Sequence, residues 1–591
     1  MAITFFSLPG ELRDRVYRHY FEVDGGYVHY AESDTLKTVD NRPINLSLLY
    51  TCRDIAGEAK HLPLLVNPIH FKTLYRPELN DLAGCFNIVS STYHLLKSEL
   101  TLLLAHSGAM TPEVRTQLAL KFPNFGSRLD FTLPMYENAN RRLRNGPPSS
   151  QDLSHLDDEV DPDPDFIHLM RSYMCYETRN VLESNANIWY LSSNYYRGFS
   201  RFNGPPLADT SFWWSKGFWE AEGSLSSALQ LMATHKPAIF NQQIYETFPH
   251  WIWSFPPDEF FNLRFEHWEI PSPVKVKHAM KLLAIGDIWH LPSVWHEARP
   301  CCSADDGDYL SAVHRAHRHH PVVSSVRCRE KIRFSAVANA IRFLETRLSP
   351  KQRLDIRSLI LHEDLPSVNQ PSAHAQGLAP FYRENPHLRI ERRVDLMGCV
   401  NATLASPSCV ANHFQFPDDQ PERLRPFSHE PRRRITQWLL DALAVTEVGI
   451  PADAYTLVLQ AGSYQDYFTD QFQRQIHQEI AWHKAFKVLN QDYPFNGPVH
   501  KLHQDVQLTM IDPQEVDVVE TLLNGTSPIL RADFNIGVAQ EYDSIINDTG
   551  HLHVGDWKFK KYCTLSDSFE RPTHEVDYRT RLSQNFEIQT D

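Results

Sequence analysis

The alternation of helical and extended hydrophobic periods after Phe334 constrains the fold of this chain more than any other feature. Phe334, Val337, Ile341, Leu344 and Leu348 recur at helical spacing, and Ser349-Pro350 ends the run. Ile356-Arg357-Ser358-Leu359-Ile360-Leu361 then reads as a strand. The order repeats: Gly377 to Arg383 reads as helix, Leu388 to Leu396 as strand, Ile435 to Val445 as helix and Tyr455-Thr456-Leu457-Val458-Leu459 as strand. Each amphipathic element needs a covering layer, so the repeated order predicts a sheet covered by helices. A long helix is expected from about Asp470 to Val488, with Phe472, Ile476, Ile480 and Phe486 on its buried side. The tail, for example His553 to Phe559, reads as short strands.

Three polar breaks divide what lies upstream and within this region. Asn145 to Asp165 carries Gly146-Pro147-Pro148-Ser149-Ser150 and Asp161-Pro162-Asp163-Pro164-Asp165, too little apolar surface to offset the entropy of ordering, and is read as a linker or loop. Ser303 to Pro321 and Ser406 to Arg434 are rich in charge, proline and histidine. The reading is therefore a mixed α/β (or α+β) chain: a helical module at 1–75, a helical connection at 76–144, an acidic Pro-rich linker at 145–165, an aromatic-rich helix/strand region at 166–300, a Cys/His-rich loop at 301–330, and an irregular α/β domain at 331–591. Nine of the twelve tryptophans fall between Trp189 and Trp295, among them Trp213, Trp214, Trp219, Trp251 and Trp253. Such rings serve cores and recognition surfaces alike, and a core is the reading adopted. Met170 to Leu191 reads as a helix running into a strand, the same order as Leu48 to Phe71.

The N-terminal segment has a different character. Pro9 suits the first turn of a helix, where its missing N–H is not required. Leu8, Leu12, Val16 and Tyr20 recur every four residues and form one apolar stripe, and Ile44, Leu48, Cys52, Ile55, Ala56 and Ala59 follow a second helical period. Two short helices cannot bury such stripes by themselves; they must pack on each other, on the body or on a partner.

Leu8-Pro9-Gly10-Glu11-Leu12-Arg13-Asp14-Arg15-Val16-Tyr17 resembles the LPxELRxxIY opening of fungal F-box-like proteins, and Leu48 to Ala59, with Leu48-Leu49, Cys52-Arg53 and Glu58-Ala59, is similar to their second helix. The likeness covers about the first seventy residues. It implies an F-box-like module that packs on a Skp-like adaptor protein and tethers a substrate receptor to a cullin ubiquitin ligase. On that likeness the partner-binding residues are Leu8, Pro9, Leu12, Val16, Leu48, Leu49 and Ile55. Glu22 to Arg42, with Gly25-Gly26-Tyr27-Val28-His29-Tyr30, separates the two helices and departs from a compact F-box. The segments beginning at Ile356 and Pro386 also loosely resemble the strand-plus-helix units of leucine-rich repeats found in many F-box receptors, without a fixed period of roughly 20 to 29 residues.

Charge narrows the partners. Against 72 acidic residues stand 58 basic ones, a formal charge of −14, which argues against general binding to nucleic-acid phosphates and leaves room for a local basic patch. No secretory pattern and no apolar run of about 18 residues is present, so no membrane partner and a cytoplasmic or nuclear site are expected. Nine scattered cysteines with no Cys-x-x-Cys pair fit a reducing compartment.

Searches for chemistry yield little. Phosphate-loop, dinucleotide and nucleophile-elbow signatures are all missing from the sequence. His477 and His483 are six residues apart, on different faces of a helix, and do not make a zincin pair. His551 and His553, near Asp556, are assigned no role. Cys301, Cys302, His314, His317, His319, His320 and Cys328 form the best metal candidate, but adjacent cysteines chelate one ion poorly, so an exposed His-rich loop is preferred and no metal is assigned. Arg432-Arg433-Arg434, with Arg423 and Arg425, reads as a solvated loop, the alternatives being an import signal or an acidic contact.

The function expected is a non-catalytic intracellular adaptor, a substrate receptor of a Skp-cullin-F-box ligase, with an unknown protein substrate, no catalytic residues and no cofactor. The alternatives are a scaffold protein with no ligase link, and an enzyme whose site is assembled from distant residues.

Overall fold

Burial alternates residue by residue along the central strands of this chain, so that one face of its main sheet is packed on helices and the other is only half-buried. The computed structural model describes residues 5–127, 129, 130, 133, 217–283, 289–297, 325–400, 407–415, 430–492, 513–552, 554–569 and 577–590. The linker at 145–165, Met170 to Leu191, Trp189, Trp213, Trp214, Cys301, Cys302, His314, His317, His319, His320, Arg423, Arg425 and His553 lie outside the described residues.

The mixed α/β class is observed. A seven-stranded sheet has the order β2-β1-β3-β6-β7-β8-β9, with β1 Tyr27–Tyr30, β2 Thr35–Thr38, β3 Ile69–Lys72, β6 Ser358–Glu363, β7 Arg389–Asp395, β8 Tyr455–Gln460 and β9 Leu530–Ala532. Only β2 runs antiparallel to its neighbour. From β6 onward each strand takes the next place along the sheet. Leu359, Ile390 and Tyr455 stand side by side although irregular lengths of chain separate them, so the strand-plus-helix order is kept without a fixed period. In β6, β7 and β8 alternate residues are buried, which puts Leu359, Leu361, Ile390, Val394, Leu457 and Leu459 against the helices.

The strands at Ile356 to Leu361, Leu388 to Leu396 and Tyr455 to Leu459 lie where the sequence predicts them, within two residues. The helix predicted at Gly377 to Arg383 is a 3-10 turn, Pro371–Leu378, followed by the helix Ala379–Glu384. The long helix near Asp470 is interrupted: Gln465–Gln471 passes through a π-helical turn, Phe472–His477, into Gln478–Asp492, and Phe472, Ile476, Ile480 and Phe486 are all buried. The tail departs from expectation. Val554–Phe569 is a helix, with Trp557 packed on Trp482, and the strand of the tail is β10, Phe586–Thr590. β10 pairs with β5, Val326–Glu330, in a three-stranded antiparallel sheet completed by β4, His296–Glu297.

A helical layer is inserted between β3 and β6. Its centre is α4, Asn80–His106, contacted by Phe218–His235, Pro237–Thr247 and Pro273–Leu282. Phe86, Leu100, Leu225, Leu229, Ile244, Phe248 and Trp251 are fully buried there, so the core reading holds for Trp251. Trp253, two residues on, is fully exposed and has a φ of +70°. Glu222 sits buried among His94, Lys97 and Ser226, bonded to all three, which pins Phe218–His235 to α4.

The N-terminal 75 residues do not stand apart from the domain at 331–591. The interruption from Glu22 to Arg42 folds into the β1–β2 hairpin, and β1 and β3 join the main sheet beside β6. Gly26 turns the chain into β1 with a φ of +68°, and a Cβ there would lie 2.3 Å from the Pro68 carbonyl oxygen. Among the described residues no helix is long and apolar enough to cross a membrane.

Candidate partner-binding face

Helix α1, Gly10–Phe21, begins after Pro9, whose φ of −52° suits a helix start. Glu11 in the first turn and Arg18 and His19 in the last match the helix dipole. A small core joins α1 to α2, Arg53–Ala59, and α3, Leu62–Val66: Tyr17, Phe21, Ile55, Ala59 and Leu62 are buried, with Phe5, Leu46, Leu48, Leu49, Cys52, Leu65 and Val66 packed around them. Polar contacts fix the same geometry. Arg13 donates to both carboxylate oxygens of Glu58, at 3.0 and 2.6 Å, and to the Leu8 carbonyl at 2.7 Å, while the Tyr17 hydroxyl donates to Glu58 at 3.0 Å. The Arg13 hydrogen bond holds the Glu58 carboxyl below its usual range. The buried Asn67 donates to the carbonyls of Phe21 and Pro63 and accepts from the Val23 amide, closing the lobe against the sheet.

The apolar stripe of α1 is not what this core uses. Leu12 is 45% exposed, Val16 48% and Tyr20 41%, all on the side of α1 away from Tyr17 and Phe21. Leu8 is half-buried and Pro9 exposed. Of the remaining predicted partner residues, Leu48 and Leu49 are half-buried in the lobe, and Ile55 is buried and therefore unavailable to a partner. The reason is local. Residues 44 to 59 are not one helix: Ser47–Tyr50 is a 3-10 turn, and Cys52 caps α2 by accepting from the Ile55 amide, which rolls Ile55 inward. Phe6 and Tyr50, outside the predicted set, are also exposed, Tyr50 at 83%. The four-residue spacing of Leu12, Val16 and Tyr20 was the available signal for the ridge; nothing in the spacing marks Tyr50.

Other candidates resolve structurally. Cys328 points into the core of the small sheet with Val326, Val410, Ala411, Leu582 and Phe586, and burial pushes its thiol up to about 12. Among the described residues no group of three or more His, Cys, Asp and Glu side chains is placed to hold a metal ion. His477 makes a 2.7 Å hydrogen bond with the Ile536 carbonyl. Arg432 overturns the solvated-loop reading: it lies largely buried between Glu479, at 2.6 Å, and Glu515, and Thr436 donates to Glu515 as well. A largely buried guanidinium held between two carboxylates ties the helix carrying Arg432 to those carrying Glu479 and Glu515.

Comparison of the chain with protein-family models, curated proteins and solved structures finds no match.

Proposed function

We propose that the N-terminal lobe is an F-box-like docking module and that the protein is a non-catalytic adaptor, presenting a protein substrate held by its body to a ubiquitin-transferring enzyme through a Skp-like partner. The observation that carries this reading is the ridge of Leu12, Val16 and Tyr20, which stays in solvent although the lobe has an apolar core of its own beside it. Single exposed apolar side chains are ordinary, but three at successive helical turns on one face are a contact surface in waiting. Covering them would contribute on the order of 1 kcal/mol or more each. Because β1 and β3 of the lobe are strands of the main sheet, a partner on α1 would stand in a fixed relation to the body. Tethering of this kind raises the local concentration of substrate at the transferring enzyme and asks no bond chemistry of the adaptor.

The test is co-purification of a Skp-like protein with the intact chain and with Leu12→Asp. Loss of the partner at an unchanged melting temperature supports the reading. A chain that binds no Skp-like protein, or that binds it equally well as Leu12→Asp, refutes it.

A further inference from the structure

The helical layer and the sheet meet at Asn369, and two buried histidines bond it. The Asn369 amide donates to Asn87 of α4 at 3.0 Å, and its Nδ2 donates to the His267 carbonyl at 2.9 Å. Its Oδ1 lies 3.3 Å from His267 Nδ1, and its carbonyl lies 2.7 Å from His374 Nε2. Both Asn369 and Gln370 have a positive φ, +63° and +60°, a conformation that two successive non-glycine residues keep only where their surroundings hold them. The bonds also fix the protons. A carbonyl can only accept, so His374 Nε2 donates to it and Nδ1 carries a lone pair, to which the Ser335 hydroxyl donates at 2.7 Å while accepting from the Ala338 amide. His267 Nδ1 likewise donates to Asn369 Oδ1, and its Nε2 is buried without a hydrogen-bond partner among the described residues.

We infer that Asn369, His267 and His374 form a proton-sensitive latch, closed while both imidazoles are neutral, whose opening in mild acid frees the helical layer from the sheet. A proton on His374 Nδ1 turns an acceptor into a donor facing a hydroxyl that already accepts from Ala338. A proton on His267 Nε2 is buried beside the Phe218 ring with no acceptor. No spare carboxylate compensates. Glu222, on Phe218–His235, is bonded to His94 and Lys97 of α4 and to Ser226; Glu363 of β6 is taken by Arg392 of β7; and Asp441, on Glu430–Leu443, accepts from Ser372 and from the Trp219 amide. Burial pushes His374 well below its usual 6.5 and His267 down to about 4, so both are neutral at pH 7, and each takes up a proton on opening once the pH falls below 6.5. Asp441, pushed up to about 6 by burial, works the other way and offsets one histidine. The helical layer also has a core of its own, which Leu74, Ile332, Phe334, Ala338, Val368 and Ala373 join from outside residues 80–297, so it can part from the sheet as a unit. The latch lies in the body and stands whether or not α1 docks a partner.

The test is hydrogen–deuterium exchange of the full chain at pH 7 and pH 5, read by mass spectrometry and corrected for the intrinsic pH dependence of exchange. Protection of α4 and Phe218–His235 is expected to fall about tenfold or more at pH 5, while β6, β7 and β8 keep theirs. The double variant His267→Asn, His374→Gln replaces each ring donor with an amide that does not titrate, and its helical layer should hold its protection at both pH values. Far-UV circular dichroism checks that this variant folds; should it not, His374→Gln alone serves, with a smaller fall than in the unmodified chain. Unchanged protection of the helical layer at pH 5, an equal loss in the layer and the sheet, or the same fall in the variant would each overturn the inference.

Discussion

Asp34 and Arg342, 308 residues apart, form a two-point ion pair in which Arg342 Nη1 donates to Asp34 Oδ2 at 3.0 Å and Nη2 donates to Oδ1. Arg347 adds two hydrogen bonds to Oδ2, at 2.8 and 2.6 Å, and His29 Nε2 lies 3.0 Å from Oδ1. His29 reaches on to Asn339, whose amide also donates to the Lys72 carbonyl. One carboxylate at the tip of the β1–β2 hairpin therefore pins the N-terminal lobe to the helix Ala336–Arg347, on which the sheet is packed.

Asp34→Asn is expected to destabilise the protein by about 2 kcal/mol, because two guanidinium groups lose their charged acceptor at a mostly buried site. Denaturant titration measures it. Limited proteolysis should show faster cleavage in the hairpin at residues 27–38 than elsewhere; equal stability of the variant would show that the lobe is held by strand pairing alone.

The two faces of α1 should respond in opposite ways. Leu12→Asp is expected to leave the melting temperature unchanged, whereas Tyr17→Ala, which empties the lobe's core and removes a hydroxyl bonded to Glu58, should cost about 3 kcal/mol. A thermal melt of each variant separates them, and a large loss in Leu12→Asp would mean that the ridge packs inside the protein.

Acidification should destabilise the fold well before carboxylates titrate. Burial pushes His267 down to about 4 and His374 well below its usual 6.5. Between pH 6.5 and about 4 the unfolded chain takes up protons at these positions that the folded protein refuses, so stability present above pH 6.5 is lost as the pH falls. The loss approaches about 1.4 kcal/mol per pH unit for each such histidine. The Asp34 carboxyl, held well below the usual range by its hydrogen bond with Arg342, adds a further loss below about pH 4. Urea unfolding at stepped pH measures the slope, and His267→Gln should flatten it.

Under the sheet, Arg392 donates to Glu363 through Nε at 3.0 Å and Nη2 at 2.7 Å, donates to the carbonyls of Pro371 and Ser372, and lies over the Trp438 ring. Both charges are almost completely buried. Glu363→Ala should cost about 3–5 kcal/mol, since it strands a buried guanidinium, and Glu363→Leu with Arg392→Met should recover much of the loss. Chemical denaturation of the double-mutant cycle decides this; strict additivity of the two changes would show no coupling.

Much of the α/β region was legible because its signal is local. The alternation in Ile356 to Leu361 and Tyr455 to Leu459 and the helical spacing of Val337, Ile341 and Leu344 reflect one buried face per element, which needs no knowledge of neighbours. Val554 to Phe559 misled for the same reason: it is short, with Trp557 and Phe559 favouring a strand, and the packing of Trp557 on Trp482 and Phe486 makes it helical. Arg392 was invisible as a core residue, since an arginine in a strand reads as solvent-facing until Glu363 is beside it.

Sequence alone determined the mixed α/β class, the alternation of helix and strand between Phe334 and Leu459, and an apolar stripe on the first helix, because all of these follow from residue spacing within one segment. Tertiary structure alone decided that Leu12, Val16 and Tyr20 stay exposed while Ile55 is buried, and that the hairpin at 27–38 and β3 extend a sheet in which Ile69 pairs with Leu359, 290 residues downstream. Those outcomes depend on which distant segments come into register, and that is set by burial and hydrogen bonding summed over the whole chain.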